Sequence, residues 1–530
     1  MEINDFKKSG VHNILNWIIP LITCIIGLHF TIIGICQYDL SKIPGDLGDA
    51  RFNMYILEHG YLYINHIDHT FWNAPFMYPF QNVIALSDNL LGSMPIYALF
   101  RFLSFDRETS FQLWFIVICI LNFFVSFYTI KKLTNNSIIA SIGGYLFAFS
   151  IFLFCQFNHA QVFPRFISPL VIYWIIKYFK KFQLKFILLI TLGIVFQFYC
   201  AMYLGFILLI VIMPMFIIFF ISNFSNALIF EFFKRSNLLK IFLIFISGLI
   251  MLLPLINHYL NIFKIIGPRN FNNVLLTVPI LSSYFFSSNA SLLWHFLSYH
   301  GIRDNCAWWD QELFIGALPW LAFISTLILF AKKRFMIENK KLTLITLTLI
   351  TCILLTIRFG DFTLFKFVFK IPGFSAIGTV PRIMNVFLFL FSLLLSLLLN
   401  YIIKKNRNFW FSLILLFIII DNLSIPSKAG AFNKEESQER LEPIVLQLDS
   451  VNWNGKNAFA YMPKQHNEND FKIQLDGMLA SQLAHKPCIN GYSSTSPKGF
   501  DEFWSEYNEH GLYYWLDLNH IDHSSILLIH

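Results

Sequence analysis

Long, nearly uncharged apolar stretches recur along this chain and decide most of what it can become. A helix needs about 20 apolar residues to cross the hydrocarbon core of a bilayer. About eleven segments approach that length: 15–37, 111–130, 138–156, 165–179, 186–201, 203–222, 240–259, 313–331, 342–357, 383–402 and 409–423. Inside a bilayer every backbone polar group must be bonded internally, so such segments are helices. Only 13% of the 530 residues are charged, against roughly 25% in soluble domains. The expectation is an all-α polytopic membrane protein with about 11 transmembrane helices.

The formal net charge of +8 is read through the loops. With the N-terminus in the cytoplasm, alternate short loops are basic: Lys7 and Lys8; Lys131 and Lys132; Lys177 to Lys185; Lys234, Arg235 and Lys240; Lys332 to Lys341; Lys404, Lys405 and Arg407. The opposite side carries longer, more acidic segments, and an odd number of spans puts the C-terminus outside. This pattern argues against nucleic-acid binding. The first apolar segment has no small-residue cleavage site after it and reads as a retained anchor. The expected division is a membrane domain over 1–423 and a small α/β extracytoplasmic domain over 424–530. Outer loops are expected at 38–110, 260–312 and 358–382. Alternation at 457–462 and 524–530 suggests strands in the tail. Cys306 and Cys488 are the two cysteines outside the membrane, and a disulfide between them is one option.

The outer loop at 38–110 opens with Ile43-Pro-Gly-Asp-Leu-Gly-Asp-Ala-Arg-Phe52. Asp46 and Asp49 lie in a Pro/Gly-broken turn, and a helix is expected from about Asp49. Turn and cap chemistry explains such acids. So does a site for a metal or for a proton taken from a nucleophile. Amphipathic runs at 52–62 and 89–105 suggest helices in the interface plane. His66 and His69 have metal-like spacing but read as surface residues, as do the tail histidines. No Walker, Rossmann or nucleophile-elbow pattern occurs.

An acidic Asp-x-x-Asp-x-Arg motif at the start of a large loop after the first span resembles the GT-C superfamily of integral-membrane glycosyltransferases, and within it the bacterial YfhO-like branch. Further stretches are similar to that family in order along the chain: Pro75-Phe-Met-Tyr-Pro79, Ser87-Asp-Asn-Leu-Leu-Gly92, Asn158-His-Ala-Gln161, Trp309-Asp-Gln-Glu-Leu-Phe-Ile-Gly316, Ile371-Pro-Gly-Phe-Ser375 with Val380-Pro-Arg382, and Asn490-Gly-Tyr-Ser493 with Pro497.

The resemblance implies a GT-C-like fold. It also implies transfer of a sugar from a polyprenyl-phosphate donor to a glycan, lipid or protein acceptor at the outer face of the bacterial cytoplasmic membrane. Asp49, with Asp46, would be the catalytic carboxylate. Arg51, Arg382, Arg358, Arg165, His159, Gln161 and Glu312 would bind the phosphate or substrate. A divalent cation, magnesium or manganese, could sit on Asp46 and Asp49. The alternatives are a lipid or polysaccharide flippase, and a non-catalytic envelope-assembly scaffold of the same fold. A flippase should carry ionisable groups at mid-membrane depth, whereas here the acids concentrate in the outer segments.

Overall fold

The computed structural model describes residues 17–223, 226–298, 310–463, 470–506 and 509–530. All of the expected apolar segments are helical. Among the described residues, seven helices are long and apolar enough to cross a membrane: Trp17–Cys36, Arg107–Thr134, Ser137–Cys155, Ala160–Lys180, Met202–Ser222, Arg235–Ile266 and Val380–Ile402. The other expected spans are the shorter helices Leu184–Cys200 and Ala317–Phe330, Lys340–Thr356 and Arg407–Asp421.

Local chemistry sets the helix ends. Asp106 accepts the Thr109 amide at 2.7 Å, and Asn136 accepts the Ile139 amide at 2.9 Å. Both use an orphan N–H of a first turn. Asn135 closes Arg107–Thr134 in a left-handed conformation, and Lys131 and Lys132 complement the negative end of the dipole. The hydroxyls of Thr129, Ser141, Thr346, Ser392 and Ser396 bond back one turn to carbonyls of their own helices, so they cost little in an apolar interior. Helix Met384–Ile402 is buried on nearly every face. Gly143 lets the neighbouring helix approach it closely, since a Cβ there would stand 2.7 Å from the Ser396 hydroxyl.

Arg235–Ile266 is the opposite case, with 11% of its apolar window buried. It runs past the expected end at 259, because nothing in the sequence stops it before Gly267, at φ 82°, and Pro268.

The first outer loop folds into helix Asp49–Ile64 and helix Met94–Phe102. The second is shorter than the expected 89–105 run. The tail contains a two-stranded parallel pair, Ala458–Tyr461 with Ile526–Ile529, surrounded by helices. The tail does not stand apart from the loop. Strand Lys42–Pro44 pairs antiparallel with Ala431–Asn433. The Met77 and Tyr78 amides donate to the Asn490 and Cys488 carbonyls at 3.1 and 3.0 Å, and the Cys488 amide donates to Pro75 at 3.0 Å. Gln482 reaches the Tyr55 carbonyl at 3.0 Å, and Trp515 reaches that of Tyr78 at 2.9 Å. Cys488 is buried in this seam, while Cys306 lies outside the described residues.

Candidate active site

The turn before the first-loop helix places two carboxylates in different roles. Gly45 takes φ 105°, a backbone conformation natural to glycine. Asp46 Oδ1 then accepts the Gly48 amide at 3.1 Å and the Ala50 amide at 3.3 Å. This is a side-chain cap on the helix start. Burial first, and the charge of Asp49 second, push the Asp46 carboxyl above its ordinary range, against the pull of these amides.

Asp49, the first residue of the helix, points at other parts of the chain. Its Oδ2 stands 2.9 Å from Nδ1 of His159, and its Oδ1 accepts the hydroxyl of Tyr492 from the tail. The far nitrogen of His159, Nε2, lies 3.0 Å from Nη2 of Arg382. A guanidinium can only donate, so Nε2 accepts and the ring proton sits on Nδ1, facing Asp49. Asp310 closes the cluster, with Oδ1 3.7 Å from Nε of Arg382 and 3.9 Å from Nε2 of His159.

Asp310 is fully buried, and neither carboxylate oxygen has a hydrogen-bond partner among the described residues. Its compensation is the charge of Arg382. Burial presses the Asp49 carboxyl upward, but His159, the Tyr492 hydroxyl and Arg382 together carry it below the usual carboxylate range. Asp49 is also the most open member, with 30% of its side chain exposed against 12% for His159 and 13% for Arg382.

A second tier surrounds this row. The Arg382 guanidinium lies 5.6 Å above the Tyr203 ring. Asp88 accepts the Tyr203 amide at 3.0 Å. Burial raises the Asp88 carboxyl to about 6, with the Tyr203 amide and Arg382 pulling the other way. Gln161 braces the helix that carries Asp49: Asn53 donates both to Gln161 Oε1 at 3.0 Å and to the Asp49 carbonyl at 2.7 Å.

Of the residues singled out in the sequence, Asp49, His159 and Arg382 meet directly, Asp46 and Gln161 support them, and Arg51 and Arg165 are elsewhere. Arg51 is two positions from Asp49, so it leaves the helix about 200° around the axis. It is fully buried, with Nη1 2.7 Å from Asp476 in the seam between loop and tail. Arg165 is buried among the spans, donating to Asn385 at 3.2 Å and to the Phe147 carbonyl at 2.9 Å. Arg358 begins a two-residue strand whose amide bonds to Pro279 at 2.8 Å. Glu312 lies two residues past Asp310, and its carbonyl receives the Cys155 thiol at 3.5 Å.

The carboxylate that joins the cluster is therefore Asp310. Tyr492 and Asp310 both fall inside motifs noted above, but nothing local in the sequence marks them as partners of Asp49. Among the described residues no group of three or more His, Cys, Asp or Glu is arranged for a metal ion. As placed, Asp46 Oδ1 receives two backbone amides while its Oδ2 has no partner among the described residues, and each Asp49 oxygen faces a proton donor.

No family model and no curated protein matches the chain. Solved structures do. The chain is similar to the oligosaccharyltransferase of Archaeoglobus fulgidus tethered by a disulfide to an acceptor peptide containing the NVT sequon. The identity is 13%, the TM-score is 0.53, and the match covers 96% of this chain and 68% of that one. The same oligosaccharyltransferase in complex with Zn and sulfate matches at 13% identity and TM-score 0.51, over 95% and 67% of the two chains. The mycobacterial arabinofuranosyltransferase AftD aligns at 12% identity and TM-score 0.48, over 88% of this chain and 31% of that one. The architecture shared with the oligosaccharyltransferase, over nearly the whole of this chain and about two thirds of that one, is the GT-C fold, and it is the fold of this chain.

Proposed function

We propose that this protein is a membrane glycosyltransferase. It moves a sugar from a polyprenyl-phosphate donor to a glycan, lipid or protein hydroxyl at the outer face of a bacterial cytoplasmic membrane. The observation that carries this reading is the row Asp310–Arg382–His159–Asp49, with its most exposed carboxylate at the end.

The chemistry is a displacement at the anomeric carbon. Asp49 is the general base. It takes the proton of the acceptor hydroxyl as that oxygen forms its bond to the anomeric carbon. The bond from that carbon to the donor's phosphate oxygen breaks, and its electron pair leaves with the polyprenyl phosphate. The growing charge on the phosphate calls for a cation, and Arg382, a fork of donors in a water-poor site, supplies it. His159 stands 2.9 Å from Asp49 through Nδ1 and is itself held by Arg382 at Nε2. A histidine fixed on both nitrogens orients the carboxylate while leaving it unprotonated.

A solved neighbour holds Zn and sulfate. In this chain a divalent cation would require His159 or Tyr492 to release Asp49, so the proton-transfer role is preferred.

The test is purified protein in nanodiscs, given a panel of polyprenyl-phosphate sugars and hydroxyl acceptors, with products read by mass. Release of polyprenyl phosphate together with a glycosylated acceptor is expected. Failure to release lipid phosphate from any donor, by protein shown to be folded, overturns the reading and leaves the scaffold alternative.

A further inference from the structure

Helix Lys340–Thr356 is short for its place. Its 17 residues make about 25 Å of helix, against about 30 Å of hydrocarbon. The basic run from Lys332 to Lys341 holds its start at one surface. Thr356 therefore falls inside the opposite leaflet, and the chain just after it has to finish the crossing.

That chain forms a hairpin with its apolar side turned outward. Strands Arg358–Phe359 and Phe362–Thr363 pair antiparallel, with Arg358 opposite Thr363 and Phe359 opposite Phe362. Directly opposed residues share a face, and neighbours along a strand take opposite faces. One face carries Arg358 and Thr363, only 8% and 4% exposed. The other carries Phe359 and Phe362, 58% and 62% exposed. Gly360 takes φ 58° at the turn, a conformation that suits glycine at the first position of a tight hairpin turn. A Cβ on it would meet nothing within 4 Å, so the tip stands clear of the protein.

Helix Phe365–Phe369 continues this surface. Phe365 is buried, whereas Phe367 and Ile371 are exposed. Lys366 and Lys370 are exposed as well, and their spacing of four makes a basic stripe beside the apolar one. Both pieces are firmly seated. The Arg358 amide donates to the Pro279 carbonyl at 2.8 Å, and the Phe369 ring lies 5.2 Å from that of Phe271. The paired strands leave few backbone groups in need of water, as a place at membrane depth requires.

We propose that residues 358–371 are a wedge that dips into the leaflet opposite the basic loops, and that phospholipid covers Phe359, Phe362 and Phe367. Position selects this occupant: the wedge begins where a span ends below the edge of the hydrocarbon. Charge agrees with it, because Lys366 and Lys370 can lay their stems along acyl chains and raise their ammonium groups to lipid phosphates. The wedge is independent of sugar transfer and stands whether or not the protein is an enzyme.

The test uses the full chain in proteoliposomes of phosphatidylethanolamine and phosphatidylglycerol. Cys306 is replaced by serine, one cysteine is introduced and labelled with a nitroxide, and the signal of the parent without it is subtracted. Two relaxing agents are compared: oxygen, which concentrates among acyl chains, and a water-soluble nickel chelate. Oxygen is expected to dominate at Phe362→Cys and at Phe367→Cys, and the chelate at Asn454→Cys on the exposed face of the tail. Two wedge positions keep the claim open to test if one variant does not fold. Dominance of the chelate at the wedge positions of folded protein would overturn the proposal. So would dipolar broadening between labels on two molecules, which would show that a second copy of the chain, not lipid, covers this face.

Discussion

At the scale of single residues, two carboxylates near Arg382 are pushed in opposite directions by their surroundings. Asp49 is kept ionised by donors on both oxygens. One of these is Tyr492, which arrives from 443 residues further along the chain. Tyr492→Phe removes only the hydroxyl and keeps the ring contacts with Phe52 and Trp504. In a transfer assay kcat is expected to fall about tenfold with KM within about twofold, because the lost bond orients the base rather than the substrate. Equal losses in both constants would show that Tyr492 contacts substrate instead.

Asp88 behaves in the opposite sense. Its folded pKa, about 6, lies above the ordinary 3.8. Its contribution to stability is present at low pH and lost as pH rises through about 6. Asp88→Asn keeps the acceptor for the Tyr203 amide and removes the buried charge. It should therefore stabilise the protein at pH 8 by about 2–3 kcal/mol and give no gain at pH 4. Thermal unfolding at the two pH values measures this directly.

At the scale of elements, the seam between the first loop and the tail holds the site together. Asp476 receives both Arg51 and Arg440 and is 4% exposed. Removing it strands the fully buried guanidinium of Arg51 and takes one partner from Arg440. Asp476→Ala should cost about 3–5 kcal/mol, seen as a lower melting temperature in detergent. The arrangement also explains why Arg51 looked functional in the sequence. Its spacing from Asp49 suggested a shared site, but the helix turns the two side chains to different faces.

The helices themselves were legible, because uncharged runs near 20 residues leave few alternatives. Asp49, His159 and Arg382 were legible through motif resemblance. The partnership of Tyr492 with Asp49 was not, since Tyr492 reaches the site through tertiary packing. A lone aspartate, tyrosine or arginine in a loop carries no period or spacing to announce its partner.

At the scale of the whole molecule, a GT-C fold packs the C-terminal tail against the first loop of a helical body, and the basic loops argue for one orientation in the membrane. Asn454 lies on the exposed face of the tail, and Lys405 in an exposed basic loop. With Cys306 replaced by serine, Asn454→Cys should react with a membrane-impermeant thiol reagent in intact cells. Lys405→Cys should react only after permeabilisation. The reverse pattern would put the candidate site on the cytoplasmic side and remove the outer-face reading.

The central claim is that Asp49 is the base for sugar transfer from a lipid phosphate. The most direct test compares wild type with Asp49→Asn and Asp46→Asn, each matched for folding and membrane level, by the release of polyprenyl phosphate from a turning-over donor. Asp49→Asn, which keeps the shape and loses the basicity, is expected to lower kcat by about 100-fold or more. Asp46→Asn should lose far less, since its Oδ1 serves the backbone. Near-wild-type turnover by Asp49→Asn would contradict the account and return both acids to the roles of turn and cap.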